Sequence, residues 1–403
     1  MEIDIRPCRS LQELRDALSP ISHYFAHENT VEDAERFAQW LEVDRMHAAY
    51  DDGRAVGGAG AFTFELSVPG GVVRTGGVSV VGVLPSHRRR GILTSLMRAQ
   101  LDDCRDRGEV AALLWASEAT IYGRFGYGVA SRIGSMRLPK ERTAFAVPFE
   151  PRGRVRIVDE REAAETFPAL YEEVFAQRPG LVSRSQAWWE TRRLYDDPAR
   201  RAGGPKHRAL LELDGKPAGY AIYTVKQDWS SGLAKGTVTI AEAVAPTPGA
   251  TRELWRWLLD FDWTSEFAAD LLPLDHPLFL LLAEPRRMQL RVGDGLWVRL
   301  IDVGAALAAR SFGEGEDVVL EVTDSFLPEN TGHWQVGNGG ANRTEAAADL
   351  RIGVNDLGSV YLGGFSFGDL VRAARATELT SGAAERADAL FATTVEPWCA
   401  EIF

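Results

Sequence analysis

Two stretches of this 403-residue chain share one order of elements, and this repeat limits the possible folds more than any other feature. The first copy contains "AAYDDGRAVGGAGAFTFE", which turns at Asp52-Gly53, and the second contains "RALLELDGKPAGYAIYTVKQ", which turns at Asp214-Gly215. Asp-Gly between apolar strands is typical of a tight β-hairpin. A third strand, a proline and an amphipathic helix follow in both copies. The repeat predicts two mixed α/β domains in tandem.

The second copy lacks one piece of the first. The first copy continues after its third strand with "SHRRRGILTSLMRAQLDDCRDRG", whereas no "RRRG" precedes the helix in "GTVTIAEAVAPTPGATRELWRWLLD". The helix of the first copy shows residues at helical spacing on one face, all apolar except the glutamine: Leu93, Leu96, Met97, Gln100, Leu101 and Cys104. Gly108 follows where a C′ glycine is expected. The second copy is therefore predicted to be degenerate.

The chain length and a change in sequence pattern suggest three domains. At about 150 residues per domain, 403 residues form two or three. We expect the first domain at 1–150 and the degenerate copy at 151–285. From about 286 the texture changes, with "DGLWVRLIDVGAALAAR" predicting a strand and then a helix. Residues 286–403 are expected to form a small α+β domain.

Composition and charge exclude several classes of protein. A net charge of −12 disfavours a nucleic-acid binder and favours cationic partners. We expect no membrane span, because the run "LLPLDHPLFLLLAEP" is short and interrupted. The N-terminus carries no signal-peptide pattern, so Cys8, Cys104 and Cys399 are expected to be reduced thiols of a cytoplasmic protein. No CxxC or HExxH spacing indicates a metal site.

The segment "VVGVLPSHRRRGILTSL" carries the strongest signal of chemistry. A strand ends, Gly91 allows close approach to the backbone, and a helix begins at once. Free N–H groups of a first helical turn, the helix dipole and flanking cations together form a cradle for an anion such as a pyrophosphate. An isolated "RRRG" is more often only a solvated basic run at a helix start.

The context of this loop resembles the acetyltransferases of the GNAT superfamily. Their phosphate loop has the form Arg/Gln-x-x-Gly-x-Gly/Ala, and here it is Arg88-Arg89-Arg90-Gly91-Ile92-Leu93, with Leu93 in place of the last small residue. One subfamily has two aliphatic residues there, the enhanced-intracellular-survival (Eis) acetyltransferases of actinobacteria. "SEATIYGRFGYG" at 117–128 is similar to a second Eis motif, and the terminal Phe and the length match too. The resemblance covers the whole chain.

The resemblance implies tandem GNAT folds, the second degenerate, followed by a domain similar to sterol carrier proteins. It implies a hexamer built from two trimers, acetyl-CoA as the co-substrate, and amines as acceptors, among them those of aminoglycosides. It also implies cofactor-binding residues, which are the strand residues Val81, Gly82 and Val83, the loop residues Arg88, Arg89, Arg90, Gly91, Ile92, Leu93 and Thr94, and Ser117 and Glu118 after the fourth strand. Ser117 and Glu118 equally fit a plain helix cap.

Catalytic roles follow from the same resemblance. Tyr122 matches the recurrent tyrosine of the superfamily, and its hydroxyl could protonate the thiolate that acetyl transfer releases. Tyr127 is the rival, and either tyrosine could instead be a core aromatic. No well-placed carboxylate or histidine suggests a general base, since lone histidines such as His47 and His87 are more often structural. In the Eis family the C-terminal carboxylate, here that of Phe403, is the implied base.

The ending "VEPWCAEIF" allows two interpretations. It could be a segment docked in the core, or its carboxylate could take part in the chemistry. Burial of Trp398, Ile402 and Phe403 would be compatible with both. Trp40, on the predicted helix "VEDAERFAQWL", could line the acceptor pocket or pack in the core. The resemblance places an acid just before the terminal Phe, where this chain has Ile402, with Glu401 one position earlier.

We therefore expect an acetyl-CoA-dependent N-acetyltransferase of aminoglycosides or similar polycationic amines. Acetylation of protein lysines would use the same chemistry on another acceptor. The alternative of a different class is a non-catalytic carrier that binds CoA or lipid, against which the "RRRG" loop and Tyr122 both argue.

Overall fold

The structure is a computed structural model that describes residues 3–25, 30–197, 203–229 and 232–403. The chain forms two compact units: the first comprises Met1–Ser131, Gly295–Pro397 and Glu401–Phe403, and the second comprises Arg132–Asp294 and Trp398–Ala400. The expected domain limits at 150 and 285 stay predictions. The two units divide at other positions, between Ser131 and Arg132 and between Asp294 and Gly295.

Both units contain strands and helices. The strands of the described residues are β1 Asp4–Pro7, β2 Met46–Asp51, β3 Arg54–Val68, β4 Gly71–Val83, β5 Ala111–Trp115, β6 Gly128–Val129, β7 Arg132–Pro139, β8 Arg154–Ile157, β9 Lys206–Leu213, β10 Lys216–Lys226, β11 Gly236–Val244, β12 Thr264–Leu272, β13 Arg291–Asp294, β14 Leu296–Leu300, β15 Val318–Thr323, β16 Gly332–Gly337, β17 Gly340–Thr344, β18 Leu350–Gly353 and β19 Ala376–Glu378. The α-helices are α1 Leu11–Ser22, α2 Val31–Phe37, α3 Ile92–Asp106, α4 Ala119–Tyr122, α5 Glu160–Phe175, α6 Gln186–Trp188, α7 Pro248–Leu258, α8 Leu278–Leu281, α9 Val303–Ala309, α10 Val354–Val360, α11 Phe367–Arg372 and α12 Ala383–Phe391.

The first unit is built on a sheet of order β1-β2-β3-β4-β5-β14-β6. Only β4 and β5 pair in parallel in this sheet, and the other neighbours are antiparallel. Helix α1 lies so close to β4 that a Cβ at Gly82 would approach Ile21 Cα to 2.8 Å. The sheet therefore needs glycine where the helix crosses it.

One strand is in a different place from the one we expected. The segment "LWVRL" was predicted to open the C-terminal domain, but it forms β14 between β5 and β6 of the first sheet, where Val298 pairs with Leu113 and with Gly128. Local pattern could not reveal this partner, because an apolar strand does not specify a strand far away in sequence. The α+β part of this unit instead continues with the sheet β17-β16-β15-β18-β19 and its helices.

The second unit repeats the order of the first. Its sheet runs β13-β7-β12-β11-β10-β9-β8, and β11 pairs with β12 in parallel as β4 does with β5. Both predicted hairpins are present, with positive φ at Asp52 and Gly53 (47° and 76°) and at Asp214 and Gly215 (50° and 76°). Two positive φ values define the type I′ turn, which matches the twist of the strands. The repeat inferred from the sequence is confirmed.

The predicted face of α3 forms core. Leu96, Met97, Leu101 and Cys104 are fully buried, and the amide of Gln100 donates to the carbonyl of Gly60 at 2.6 Å. This hydrogen bond satisfies the amide N–H of Gln100, the one polar side chain on the face, while its Oε1 is buried without a hydrogen-bond partner among the described residues. Over the described residues, no helix is long and apolar enough to cross a membrane.

Candidate functional site

The loop between β4 and α3 presents backbone N–H groups at a helix start. Gly91 is the N-cap of α3, has a φ of 80°, and offers no side-chain oxygen to cap the first turn. The N–H groups of the first turn therefore have no acceptor within the helix. A Cβ at Gly91 would meet no atom within 4 Å, so the space in front of the turn is open. This is the geometry of an anion site.

The three arginines of the loop differ in role. Arg90 Nη1 donates to the carboxylate of Asp51 at 3.0 Å, and His87 Nε2 lies 3.1 Å from the same oxygen. Arg90 therefore fastens the loop to the end of β2. All three arginines are exposed, and Arg88 and Arg89 precede the helix start. Arg89 also adopts a left-handed φ of 61°, which helps to turn the chain into the helix. The contact of Arg90 with Asp51 leaves the expected use of all three arginines on a ligand a prediction.

Strands β4 and β5 separate beside this loop. They pair only from Thr75 to Gly77 on β4, so the rest of β4 has an open edge toward β5. Leu84 N–H donates to Val56 O on β3, and since neighbours alternate along a strand, the backbone groups of Val83 point to the open edge. The hydroxyl of Tyr24 donates to the carbonyl of Val83 at 2.9 Å. A Cβ at Gly82 would point at Ile21 of α1, and the expected use of the Gly82 backbone by the cofactor stays a prediction.

A β-bulge interrupts β4 at the point of separation. Gly60 pairs with Ser79 and Gly58 with Gly82, so β4 carries one extra residue. Val80 has a φ of 49°, which is an outlier for a β-branched residue. Bulges and strained residues of this kind re-aim backbone groups at functional sites. Sequence reasoning missed this feature because "VSVVGV" contains no glycine at the bulge.

Tyr122 ends the short helix α4 and is 7% exposed. Burial raises the pKa of Tyr122, and a hydrogen bond with the Ser117 side chain acts in the opposite direction. Ser117 was expected as the N-cap, but the N-cap is Glu118, whose side chain makes no capping hydrogen bond. Both Ser117 and Glu118 are exposed. A buried phenol that stays protonated at neutral pH can donate a proton or a hydrogen bond.

Tyr127, the rival, lies in the core. Its ring is fully buried and meets that of Tyr122 edge-on, with centroids 6.0 Å apart. Burial raises the pKa of Tyr127 well above its usual range. Its hydroxyl has no hydrogen-bond partner among the described residues. The hydroxyl of Tyr122, already hydrogen-bonded to an exposed serine, is the better placed of the two.

An aromatic cluster surrounds Phe403 on the opposite face of the first sheet from α3. The ring of Phe403 packs edge-on against Phe64 and Phe62, with centroids 5.2 and 6.4 Å apart. Phe37 continues the cluster from Phe62 to Trp40. Trp40 is half-buried and lies in the turn after α2, which ends at Phe37, so the predicted helix is shorter than expected.

The residues before Phe403 differ in burial. Glu401 is 2% exposed, and Ile402 is 55% exposed, so the expected burial of Ile402 is wrong. Trp398 is buried as expected, in the core of the second unit. The side chains at 401 and 402 point to opposite environments, as neighbours in an extended segment do.

His47 and His87, two lone histidines of the first unit, lie in surroundings that fit a structural role. His47 is 5% exposed on β2, and burial lowers its pKa. His87 serves the Asp51 contact described above.

The second unit has a helix start of a different kind. The side chain of Thr247 caps α7 by accepting from Ala250 N–H at 3.2 Å, and Pro248 in the first turn has no N–H at all. The N–H of Ala250 is thus used and Pro248 has none, so this helix start offers fewer free N–H groups to an anion than the start of α3 does. This explains in physical terms why the second copy is degenerate.

The separation between β11 and β12 is partly filled by the chain itself. The indole N–H of Trp398 donates to the carbonyl of Leu271 at 2.8 Å, beyond the last parallel pair of β12. Trp398, together with Trp255, lines a cavity of about 110 Å³ at this separation. In the second unit, the side chain of Trp398 therefore lies at the position that corresponds to the open strand edge of the first unit.

Models of known domains match the chain in three parts. Residues 4–130 and 180–300 each match an acetyltransferase (GNAT) domain, and residues 303–400 match a sterol carrier protein domain. The N-acetyltransferase Eis of Mycobacterium tuberculosis is 36% identical over 354 residues, which cover 84% of each chain. The chain belongs to the Eis family of GNAT-superfamily N-acetyltransferases.

Further relatives agree with this placement in the Eis family. An uncharacterized N-acetyltransferase of Streptomyces avermitilis is 39% identical over 373 residues, covering 91% of both chains. The crystal structure of Eis1 from Mycobacterium abscessus superposes with a TM-score of 0.87 at 35% identity, covering 99% of this chain and 100% of the other. The expected fold class, two GNAT domains and a sterol-carrier-like domain, is confirmed, and the chain is an N-acetyltransferase.

The contact of Asp51 with the loop can be tested on the protein without ligand. The hydrogen bond from Arg90, with smaller help from His87, lowers the pKa of Asp51. The contact is therefore complete at neutral pH and is lost as pH falls through that lowered pKa. We expect Asp51→Asn to speed tryptic cleavage after Arg88 and Arg89 several-fold at neutral pH, measured by mass spectrometry of the fragments. Asp52→Asn, on an exposed turn residue, is the control, and equal cleavage of both variants would contradict the contact.

Proposed function

We propose that this enzyme transfers the acetyl group of acetyl-CoA to amines of aminoglycosides or similar polycationic amines. The observation that carries the proposal is the uncapped start of α3 at Gly91, flanked by the exposed Arg88 and Arg89 and by the open edge of β4. GNAT acetyltransferases use acetyl-CoA. The start of α3 suits the pyrophosphate of acetyl-CoA, and the open edge of β4 suits the amides of its pantetheine arm.

Binding of acetyl-CoA would use backbone groups first. The N–H groups from Arg88 to Thr94 would hold the pyrophosphate, because they lie at the positive end of α3. The amide-bearing pantetheine arm would pair with the open edge of β4 at Val81 and Val83, as an added strand does. Ser117 and Glu118 would lie on the opposite side of the opening, after β5. Ile92 is buried and Leu93 partly buried, so both would act through their backbone.

The transfer forms a bond from the acceptor nitrogen to the acetyl carbon and breaks the bond from that carbon to sulfur. Negative charge grows on the acetyl oxygen, and N–H groups turned outward by the bulge at Val80 would stabilise it. The leaving sulfur would receive its proton or a hydrogen bond from Tyr122. A free thiol has a pKa of about 8.5 and a phenol about 10. Burial raises both, so the phenol remains a suitable donor.

The acceptor amine attacks in its neutral form, and the proton that its nitrogen gives up would go to the carboxylate of Phe403. A C-terminal carboxyl in water is a weak base with a pKa of about 3.3–3.7. The ring of Phe403 is held by Phe62 and Phe64. An acceptor bound over the carboxylate would remove water from it, and poor hydration raises the pKa of a carboxyl. Its charge would also orient a cationic acceptor.

The acceptor would enter at the aromatic cluster. The faces of Trp40 and the phenylalanines attract cations, and the chain carries a net charge of −12. Glu401, in contrast, is buried, which weighs against a direct contact with substrate. Ile402 stands exposed where the resemblance places an acid, so the preferred amine of this enzyme is expected to depend less on charge at that position.

The sequence also suggested a second acceptor, a carrier role, a hexamer and a cytoplasmic location. Protein lysine acetylation would need the same loop and Tyr122 and is the second candidate acceptor. A non-catalytic carrier is set aside, because the chain belongs to a family of N-acetyltransferases. The hexamer of two trimers and the cytoplasmic location stay predictions.

An assay of thiol release tests the acceptor. With acetyl-CoA, several aminoglycosides and a lysine-rich histone-like peptide at equal amine concentration, we expect a higher kcat/KM for the aminoglycosides. Without any amine, release should stay at background. A peptide preferred over every aminoglycoside would favour the lysine hypothesis, and turnover of none would refute the proposed substrates.

Replacement of each tyrosine separates the two candidate acids. Tyr122→Phe removes a hydroxyl that acts only in the transition state, so kcat should fall by about 10²–10⁴ with little change in acetyl-CoA binding. Tyr127→Phe should keep the rate within about threefold, since the Tyr127 hydroxyl contacts no partner in the described part of the chain. The opposite result, with Tyr127 needed and Tyr122 dispensable, would reverse the assignment.

Extension of the chain beyond Phe403 tests the base. A short tag there converts the carboxylate to a neutral amide and moves the charge away. We expect acetyl transfer to fall below about one per cent, while calorimetry shows unchanged acetyl-CoA binding. The same tag at the N-terminus is the control. Full activity of the C-terminally tagged enzyme would show that the carboxylate has no catalytic role.

A further inference from the structure

We propose that Arg299, on β14, is a positioning residue that holds Tyr122 in its working place through the loop Gly123–Tyr127. The inference rests on the proposed role of Tyr122 as the acid. It concerns a residue far along the chain from Tyr122 that belongs to neither of the motifs identified in the sequence.

A buried acid fixes the guanidinium. The side chains of Arg299 and Asp324 are 0% and 1% exposed, and Nη2 donates to the carboxylate at 2.6 Å. Asp324 is itself held, because its other oxygen accepts the N–H groups of Phe326 and Leu327 at 3.0 and 2.9 Å. Asn330 adds a bond of 2.9 Å. The guanidinium therefore sits at the end of a rigid network.

The other side of the guanidinium packs flat on Gly126. A Cβ at this position would lie 2.6 Å from Cζ and 2.9 Å from Nε, distances that no side chain could keep. Gly126 also has a φ of 86°, which glycine adopts without strain. The segment "YGRFGYG" thus needs glycine at 126 because Arg299 occupies the space.

The loop returns from this contact to Tyr122. Gly126 N–H donates to Gly123 O at 3.0 Å, and Tyr127 N–H donates to the carbonyl of Tyr122 at 3.3 Å. A shift of Gly126 against the guanidinium would therefore move the backbone of Tyr122.

The arrangement carries a cost in stability. Within the described residues, Nε and Nη1 of Arg299 are buried without a hydrogen-bond partner. Unsatisfied buried donors cost free energy, and apolar residues can often replace a buried ion pair without loss. A cost carried beside the loop of the acid points to a role in placing that loop.

A double-mutant cycle tests the proposal. The variant Arg299→Met with Asp324→Asn removes the cation without leaving a buried charge. We expect kcat to fall at least about tenfold, as for a small misplacement of a reacting group, with KM for acetyl-CoA within twofold. In the Tyr122→Phe background the same pair should change kcat by less than twofold, because Arg299 acts through Tyr122. Thermal melting reports folding separately.

A second buried arginine supplies the control. Arg310 is 3% exposed and donates to the carbonyl of Phe391 at the end of α12, so Arg310→Met should lower the melting temperature. Any effect of Arg310→Met on kcat should be equal in both backgrounds. If the Arg299/Asp324 variant does not fold, Arg299→Lys enters the same cycle, since lysine keeps the charge but not the planar group.

The outcomes separate the two proposals. Equal loss of kcat in both backgrounds, or no loss in the wild-type background, overturns the role of Arg299 while Tyr122 stays the acid. A Tyr122→Phe enzyme with the wild-type rate overturns both proposals at once.

Discussion

The first turn of α3 carries backbone N–H groups that no side chain of the preceding loop satisfies, because its N-cap is Gly91. An uncapped helix start is costly to leave empty and suited to an anion. The second unit shows the contrast within one chain. Thr247 and Pro248 satisfy or remove the same groups at the start of α7, and the strand order around them is otherwise repeated. A few side chains thus distinguish the uncapped helix start of the first unit from the capped one of the second.

The separation of the parallel strands β4 and β5 leaves an open strand edge beside the start of α3. Beyond Gly77, β4 has an edge that can pair with an extended ligand, and the bulge at Val80 sets the direction of its backbone groups. Beyond the corresponding pairs in the second unit, Trp398 donates to Leu271 instead. The same separation of strands is therefore open in the first unit and partly filled by a side chain of the protein in the second, and the two helix starts differ in the same sense.

Local pattern predicted the features whose causes are local. Asp-Gly turns, the core face of α3 and the glycine at the phosphate loop each depend on residues a few positions apart, and all three are present. The place of β14 was not predictable, because pairing with β5 depends on a partner far away in sequence. The division of the arginines was missed for a similar reason: Arg90 pairs with Asp51, and nothing in "HRRRG" distinguishes it from its neighbours. Ile402 was predicted buried from its hydrophobicity alone, but an apolar side chain does not require burial.

The insertion of β14 also explains why motifs near Tyr122 resist interpretation from sequence. Gly126 appears in "YGRFGYG" as one glycine among three, and its need becomes visible only when Arg299 arrives from a strand that the chain forms much later. The loop of the candidate acid can therefore reach its final form only after β14 has joined the sheet. Contacts of this kind carry a large cost in chain entropy before they form. A protein that keeps such a contact beside Tyr122 gains a loop that is assembled only in the fully folded chain, since Arg299 reaches Gly126 only when the last strands of the first sheet are paired.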